Sequence, residues 1–171
     1  MTLSVQEAQA IIRAPKTTVR VMEWKIQTGN YNPNRFQFDS ALQINSETRE
    51  DLFLRLRYRG EYSQNKNGLS FVRNANIASG LFAANNRIFA YDYDDGRPHL
   101  NTVGTGIPYY RQSFTGLHKH IWTAEGYGYA EPFSLTDNRL ETIITAFAQA
   151  ANIAIKGGFV PAPQEQLDLF L

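Results

Sequence analysis

Residues 51–62 read DLFLRLRYRGEY, and the alternation along this stretch decides the fold class. One side of the pattern is apolar, with leucines at positions 52, 54 and 56 and a tyrosine at position 58. The other side carries Phe53 and the arginines Arg55, Arg57 and Arg59. Because successive side chains of a β-strand point to opposite faces, this pattern predicts an antiparallel strand with one buried and one solvated face.

Strand-like patterns lie on both sides of this segment, separated by turn-rich stretches. Predicted strands cover residues 19–26, 35–44 and 85–96, and a strand with an irregular middle covers residues 70–82. Residues 63–68 are predicted to form a loop, and residues 97–116 the longest irregular connection. Short strands in succession favour hairpins, so the sequence predicts about five to seven mostly antiparallel strands in a strongly twisted sheet.

A helical pattern dominates the C-terminal part of the chain. Residues 134–137 have the spacing of a capping box, and the glycine pair at 157–158 follows the last apolar residue of the pattern. Between them the spacing predicts a long helix from about Thr136 to Ile155. Its apolar stripe consists of Leu140, Ile143, Ile144, Phe147, Ala151 and Ile155.

A second, shorter helix is predicted near the N-terminus. Ser4 and Glu7 have the spacing of a capping box, and Pro15 marks the end of the helix. The predicted fold class is therefore α+β, with the short N-terminal and long C-terminal helices packed on the sheet. Residues 1–160 are expected to form a single domain, and residues 161–171 a flexible tail.

The composition narrows the class of protein. A chain of 171 residues with 43% hydrophobic and 19% charged residues is typical of one globular domain. The net charge of +1 gives no global attraction to nucleic acid, so any basic surface must be local. The absence of cysteine excludes disulfides and thiolate metal sites. With no signal-peptide pattern and no apolar run of membrane-spanning length, the sequence predicts a soluble cytoplasmic protein that does not contact membranes.

All three histidines fall in one short window of the sequence. His118 and His120 are two residues apart in a stretch that favours a strand, so both imidazoles are expected on one face. His99 lies in the preceding segment, DDGRPHLN. We therefore predict that the three imidazoles converge.

Three interpretations of this histidine window remain open. Three imidazoles can bind a divalent metal such as zinc and leave one open position. They can also act without metal as general acid and base on a phosphodiester, with Glu125 as an orienting group, proton carrier or extra ligand and Arg97 holding a phosphate. In the third interpretation they are hydrogen-bonded residues on a polar sheet face. The candidate catalytic residues are His99, His118, His120, Glu125 and Arg97.

The segment from Tyr91 to about Ile153, YDYDDGRPHLN…GLHKHIWTAEGYGYAEPF…FAQAANI, resembles a family of small uncharacterised bacterial and phage proteins. That family shares a P-H-x-N element followed by H-x-H-x-x-x-x-E-G-Y. A looser likeness is to TumE-type toxins, which carry a P-H element and a later H-x-H. The resemblance implies that the histidines act together. The matching residues are Pro98, His99, Asn101, Leu117, His118, His120, Glu125, Gly126 and Tyr127.

The C-terminal pentapeptide QLDLF resembles the Q-L-[SD]-L-F motif by which bacterial polymerases and repair proteins dock on the DNA sliding clamp. It follows a Pro-Ala-Pro spacer, which would hold it away from the domain. The alternative is an amphipathic tail that folds back on the domain. The candidate partner-binding residues are Gln166, Leu167, Asp168, Leu169 and Phe170.

Two functions follow from these features. One is a clamp-associated bacterial or phage protein with a histidine site that acts as a nuclease or phosphodiesterase. The other is a non-catalytic accessory or inhibitor protein that acts by binding the sliding clamp. The stripe of Arg55, Arg57 and Arg59 is compatible with contacts to phosphates. The near-neutral net charge and the lack of a second basic run favour a simply solvated face.

Overall fold

The structure is a computed structural model that describes residues 3–27, 29 and 34–163. Two helices and eleven strands are found in that part of the chain. The helices are α1 (Val5–Arg13) and α2 (Leu140–Ala150). The strands are β1 (Lys16–Val21), β2 (Lys25–Ile26), β3 (Phe36–Ile44), β4 (Glu47–Arg59), β5 (Tyr62–Lys66), β6 (Leu69–Arg73), β7 (Asn76–Ala83), β8 (Asn86–Leu100), β9 (Ser113–Thr123), β10 (Gly126–Pro132) and β11 (Ile153–Lys156).

Nine of the described strands form one sheet, and the other two form a separate hairpin. The order in the large sheet is β10-β9-β8-β7-β4-β3-β1-β11, with β2 paired to β3. Every described pair is antiparallel except β1 with β11, which is parallel. The α+β class is thus confirmed, with a mixed sheet that is antiparallel over most of its width.

The alternation of β4 sorts its side chains between two faces as predicted. Leu52, Leu54 and Leu56 are at most 1% exposed and join a core that includes Phe147 of α2. The opposite face carries Phe53, which stacks on Phe82 of β7 with ring centroids 4.6 Å apart. The apolar face is therefore covered by α2, and the other face is free to carry polar and charged groups.

The predicted number of strands is too low, and two stretches predicted to be irregular belong partly to strands. Residues 63–68 form not a loop but most of β5 and the turn before β6, because Asn67 and Gly68 adopt positive φ angles of 54° and 79° and reverse the chain. The irregular connection is also shorter than residues 97–116, since β8 continues to Leu100 through a shift in register and β9 already begins at Ser113.

The prediction of a long C-terminal helix is wrong. α2 covers only Leu140–Ala150, and its N-cap is Arg139 rather than Ser134. After the helix, Asn152 adopts a φ of 52°, a left-handed conformation that ends the helical path. The apolar residues beyond it then pair with β1 as strand β11 instead of extending the stripe.

The short N-terminal helix is confirmed, including its capping box. The Ser4 side chain accepts a hydrogen bond from the Glu7 amide at 3.2 Å, and the Glu7 carboxylate accepts one from the Ser4 amide at 2.8 Å. At the other end of α1, the buried ammonium of Lys16 donates to three carbonyls of residues 11–14. Side chains thus satisfy backbone groups at both ends of this helix.

The described chain ends in a segment that packs against the sheet. The Trp24 indole donates to the Val160 carbonyl at 2.8 Å, and Ala162 is only 8% exposed. The domain therefore extends slightly beyond residue 160. The predicted clamp-docking residues 166–170 lie outside the described residues. None of the described helices is long and apolar enough to span a membrane.

Candidate metal centre

His118 and His120 lie on one face of β9, as their spacing predicts. His118 is paired with Asp92 of β8, and His120 is paired with Ala90. Residues paired across antiparallel strands share a face, so both imidazoles project from the side of the sheet opposite the leucines of β4. Their ring centroids are 5.0 Å apart, and the two residues are only 4% and 3% exposed.

His99 completes the group from the end of β8. The register shift between Asp94 and His99 brings its ring centroid to 5.2 Å from that of His118 and 4.7 Å from that of His120. One ring nitrogen from each histidine lies within 4.8 Å of the other two. The predicted convergence of the three imidazoles is confirmed.

Each imidazole also has a ring nitrogen directed at an oxygen atom. The His118 Nδ1 is 2.9 Å from the Gly116 carbonyl, and the His120 Nε2 is 3.2 Å from a carboxylate oxygen of Asp92. The His99 Nε2 is 3.0 Å from the Gly128 carbonyl. Carbonyl and carboxylate oxygens accept hydrogen bonds, so we assign the proton of each neutral ring to these nitrogens.

This assignment leaves a lone pair on the opposite nitrogen of every ring, namely His99 Nδ1, His118 Nε2 and His120 Nδ1. The His120 Nδ1 is buried and has no hydrogen-bond partner among the described residues. A buried nitrogen without a partner costs about 1–3 kcal/mol, which a ligand at this point would offset. Burial lowers the pKa of His118 and of His120, so the neutral, metal-binding form is favoured in both.

Asp92 supports His120 from behind and was not identified from the sequence. Its carboxylate contacts His120 on one side and accepts hydrogen bonds from the guanidinium of Arg87 on the other. Burial raises the pKa of Asp92, but the charge of Arg87 and the contact with His120 outweigh burial and hold that pKa well below its usual range. Asp92 is therefore a carboxylate that orients a histidine, the usual partner of a metal-binding imidazole.

Asn101 fixes the position of His99. It is fully buried, and its side-chain oxygen accepts hydrogen bonds from the Ala130 amide at 2.8 Å and from the His99 Nε2 at 3.0 Å. Its amide group donates to the carbonyls of Ala130 and Tyr109. One side chain thus links β10, the irregular segment 101–112 and the third histidine.

The other two predicted catalytic residues have different surroundings. The Glu125 carboxylate accepts hydrogen bonds from the backbone amides of Gly104 and Thr105 at 3.2 and 2.8 Å, so it anchors the irregular segment. It does not belong to the group of mutually close metal-ligating atoms found among the described residues. Arg97 lines a surface cleft together with other arginines.

No protein-family model, curated protein or solved structure matches the chain. The resemblance to small bacterial and phage proteins and to TumE-type toxins therefore stays a prediction.

Proposed function

We propose that His99, His118 and His120 bind one zinc ion and that the chain is a zinc-dependent hydrolase acting on phosphodiesters. The observation that carries the proposal is the convergence of the three imidazoles. One nitrogen of each ring lies against an oxygen acceptor, and one ring nitrogen from each histidine lies within 4.8 Å of the other two. Imidazole ligands suit zinc, and three of them leave one coordination position for water or substrate.

The surroundings of the histidines support a catalytic rather than a purely structural ion. A zinc ion held by these residues would lower the pKa of its bound water to near 7 and so supply a nucleophile at neutral pH. The Tyr127 ring stacks on His120 with centroids 5.2 Å apart, and Tyr127 remains 43% exposed. His99 is also partly exposed. One side of the site is therefore close to solvent, where a substrate can approach.

Zinc binding is tested by titrating the metal-stripped protein and measuring heat and stoichiometry. We expect one zinc ion per chain. His120→Ala should weaken the zinc affinity by at least about 100-fold, because it removes one of three protein ligands, each of which contributes a few kcal/mol to the free energy of zinc binding.

Lys119→Met is the matched control. It lies on the same strand, and its ammonium forms an ion pair with Glu131 of β10 at 3.0 Å. Equal affinity of wild type and His120→Ala, or no zinc bound by wild type, would refute the site.

The reaction class is tested with the same proteins on RNA, DNA and a chromogenic phosphodiester. Hydrolysis that disappears with chelator and returns with zinc supports the proposal. Hydrolysis that survives complete removal of metal would instead support the metal-free acid–base mechanism, since the imidazoles alone then carry the chemistry. No hydrolysis by the zinc-loaded protein would contradict an enzyme of this class.

We propose separately that the pentapeptide QLDLF docks the chain on a bacterial sliding clamp. The support is its match to the clamp-binding motif and its position after Pro163. Leu169 and Phe170 would fill an apolar pocket of the clamp, so Leu169→Ala and Phe170→Ala should each weaken binding by about 2 kcal/mol or more. Titration of clamp against the full chain and a chain ending at Pro163 measures this. Equal affinities, or no binding by either protein, would mean that the match to the clamp-binding motif is a coincidence.

A further inference from the structure

We infer that a five-arginine cleft beside the histidine centre binds the phosphate backbone of single-stranded nucleic acid. Single-stranded nucleic acid would then be the substrate class of the proposed hydrolase, and only this assignment as a substrate rests on the proposed function. Binding in the cleft itself requires no metal and is tested without it.

The cleft has a volume of about 500 Å³ and is strongly biased toward positive charge. Among the described residues, its lining includes Arg35, Arg57, Arg59, Arg73 and Arg97 and one carboxylate, that of Asp94. That carboxylate accepts hydrogen bonds from the Asn76 side chain and the Gly96 amide, both at 2.8 Å. Because the arginines come from separate segments of the chain, the cluster forms only in the folded protein.

Several of these guanidinium groups are available to a ligand. Within the described part of the chain, Arg59, Arg73 and Arg97 have no carboxylate within ion-pair distance. Arg59 donates to the Asn74 carbonyl at 2.8 Å, yet its buried Nε has no described partner. Because Arg59, Arg73 and Arg97 line one cleft, their like charges repel one another, and a polyanion would relieve that repulsion.

The β5–β6 hairpin adds aromatic groups to the same surface. Tyr62 and Arg73 are paired across the hairpin and both line the cleft. The pairs Gln64–Phe71 and Lys66–Leu69 follow at alternate positions, so they continue this face outward. Phe71 is 45% exposed, and the Arg59 guanidinium lies 5.0 Å from the centre of the Tyr62 ring.

Exposed aromatic rings beside cations are the arrangement that binds single-stranded nucleic acid, because the cations contact phosphates and the rings stack on bases. A duplex hides the faces of its bases, and an acidic peptide has no bases that could stack on the rings. The observations therefore favour a single strand over either of these ligands.

The register places the cleft next to the histidines on one sheet face. Arg57 and Ala78 line the cleft and are paired with each other; Ala78 is paired with Asp92, and Asp92 with His118. Paired residues share a face, and neighbouring strands are about 4.8 Å apart, so Arg57 and His118 lie roughly 14 Å apart across the sheet. A strand of a few nucleotides is long enough to contact both.

The test measures binding of a fluorescent 15-nucleotide oligothymidylate to the metal-stripped full-length protein by anisotropy. Arg73→Gln/Arg97→Gln should weaken binding at least about 10-fold and reduce the slope of log affinity against log salt by about 1.4, or 0.7 for each lost phosphate contact. Phe71→Ala should weaken binding about 5-fold or more and leave that slope unchanged, because stacking involves no counterion release.

The matched control is Arg49→Gln/Arg139→Gln, which removes the same charge from two arginines that pair with aspartates outside the cleft. We expect less than a 2-fold change. Equal weakening by both double variants would overturn the inference, because binding would then depend on net charge alone. Equal competition by polyglutamate, by inorganic phosphate or by duplex of the same length would also overturn it. Zinc binding is measured separately, so failure of the cleft and failure of the metal site give different results.

Discussion

Replacing Phe147 by alanine should lower the free energy of unfolding by about 3–5 kcal/mol. Phe147 is fully buried, and its ring stacks on Phe89 and meets Tyr91 edge-on, with centroids 5.8 Å away in both cases. Alanine would leave a cavity between α2 and the sheet that these rigid rings fill only partly. Chemical denaturation of the two proteins measures the difference.

The control for this substitution is Gln149→Ala, which lies on the exposed side of the same helix. It should change the free energy of unfolding by no more than about 0.5 kcal/mol. A loss below about 1 kcal/mol for Phe147→Ala would mean that α2 does not cover the core.

Replacing Asp92 by asparagine should damage both the fold and the metal site. The substitution removes the charge partner of Arg87, whose side chain is only 17% exposed. An uncompensated buried guanidinium costs about 3–5 kcal/mol, and the residual exposure favours the lower end of that range. The orienting contact to His120 is weakened at the same time, so zinc affinity should fall about 10- to 100-fold.

The double variant Arg87→Met/Asp92→Leu separates these two effects. Replacing a buried ion pair with apolar residues of similar size is often nearly neutral for stability. We therefore expect the free energy of unfolding of this variant to be close to that of wild type, while its zinc affinity remains reduced. If zinc affinity recovered together with stability, Asp92 would have no role at the metal site beyond folding.

The sequence predicts the sheet well where one face is clearly apolar. The alternation in β4 and the capping box of α1 depend on local patterns, and both are present in the structure. The error in the C-terminal helix has the same local origin. Ile155 continues the helical spacing of α2, but Ile153 and Ile155 also alternate as a strand does, and only the distant β1 determines which pattern is used.

The candidate site was predictable in part for a similar reason. The spacing of His118 and His120 specifies a common face, whereas the contact of Asp92 with His120 depends on the register between β8 and β9. The cleft shows the same limit more strongly. Three of its arginines, Arg35, Arg73 and Arg97, lie outside the β4 stripe and apart from one another in the sequence. They form no basic run, so the sequence does not show that they belong to one cluster.

The parallel pairing of β1 with β11 affects how the chain folds during synthesis. β1 can pair with β3 soon after both leave the ribosome, but its other edge stays open until residues 153–156 appear, about 110 residues after the end of β3. At roughly 5–20 residues per second, this interval lasts on the order of ten seconds. An open strand edge is a template for aggregation, so β1 is exposed to such contacts throughout that interval. Pairing of β11 with β1 closes this edge and leaves the four-residue β11 as the outer strand.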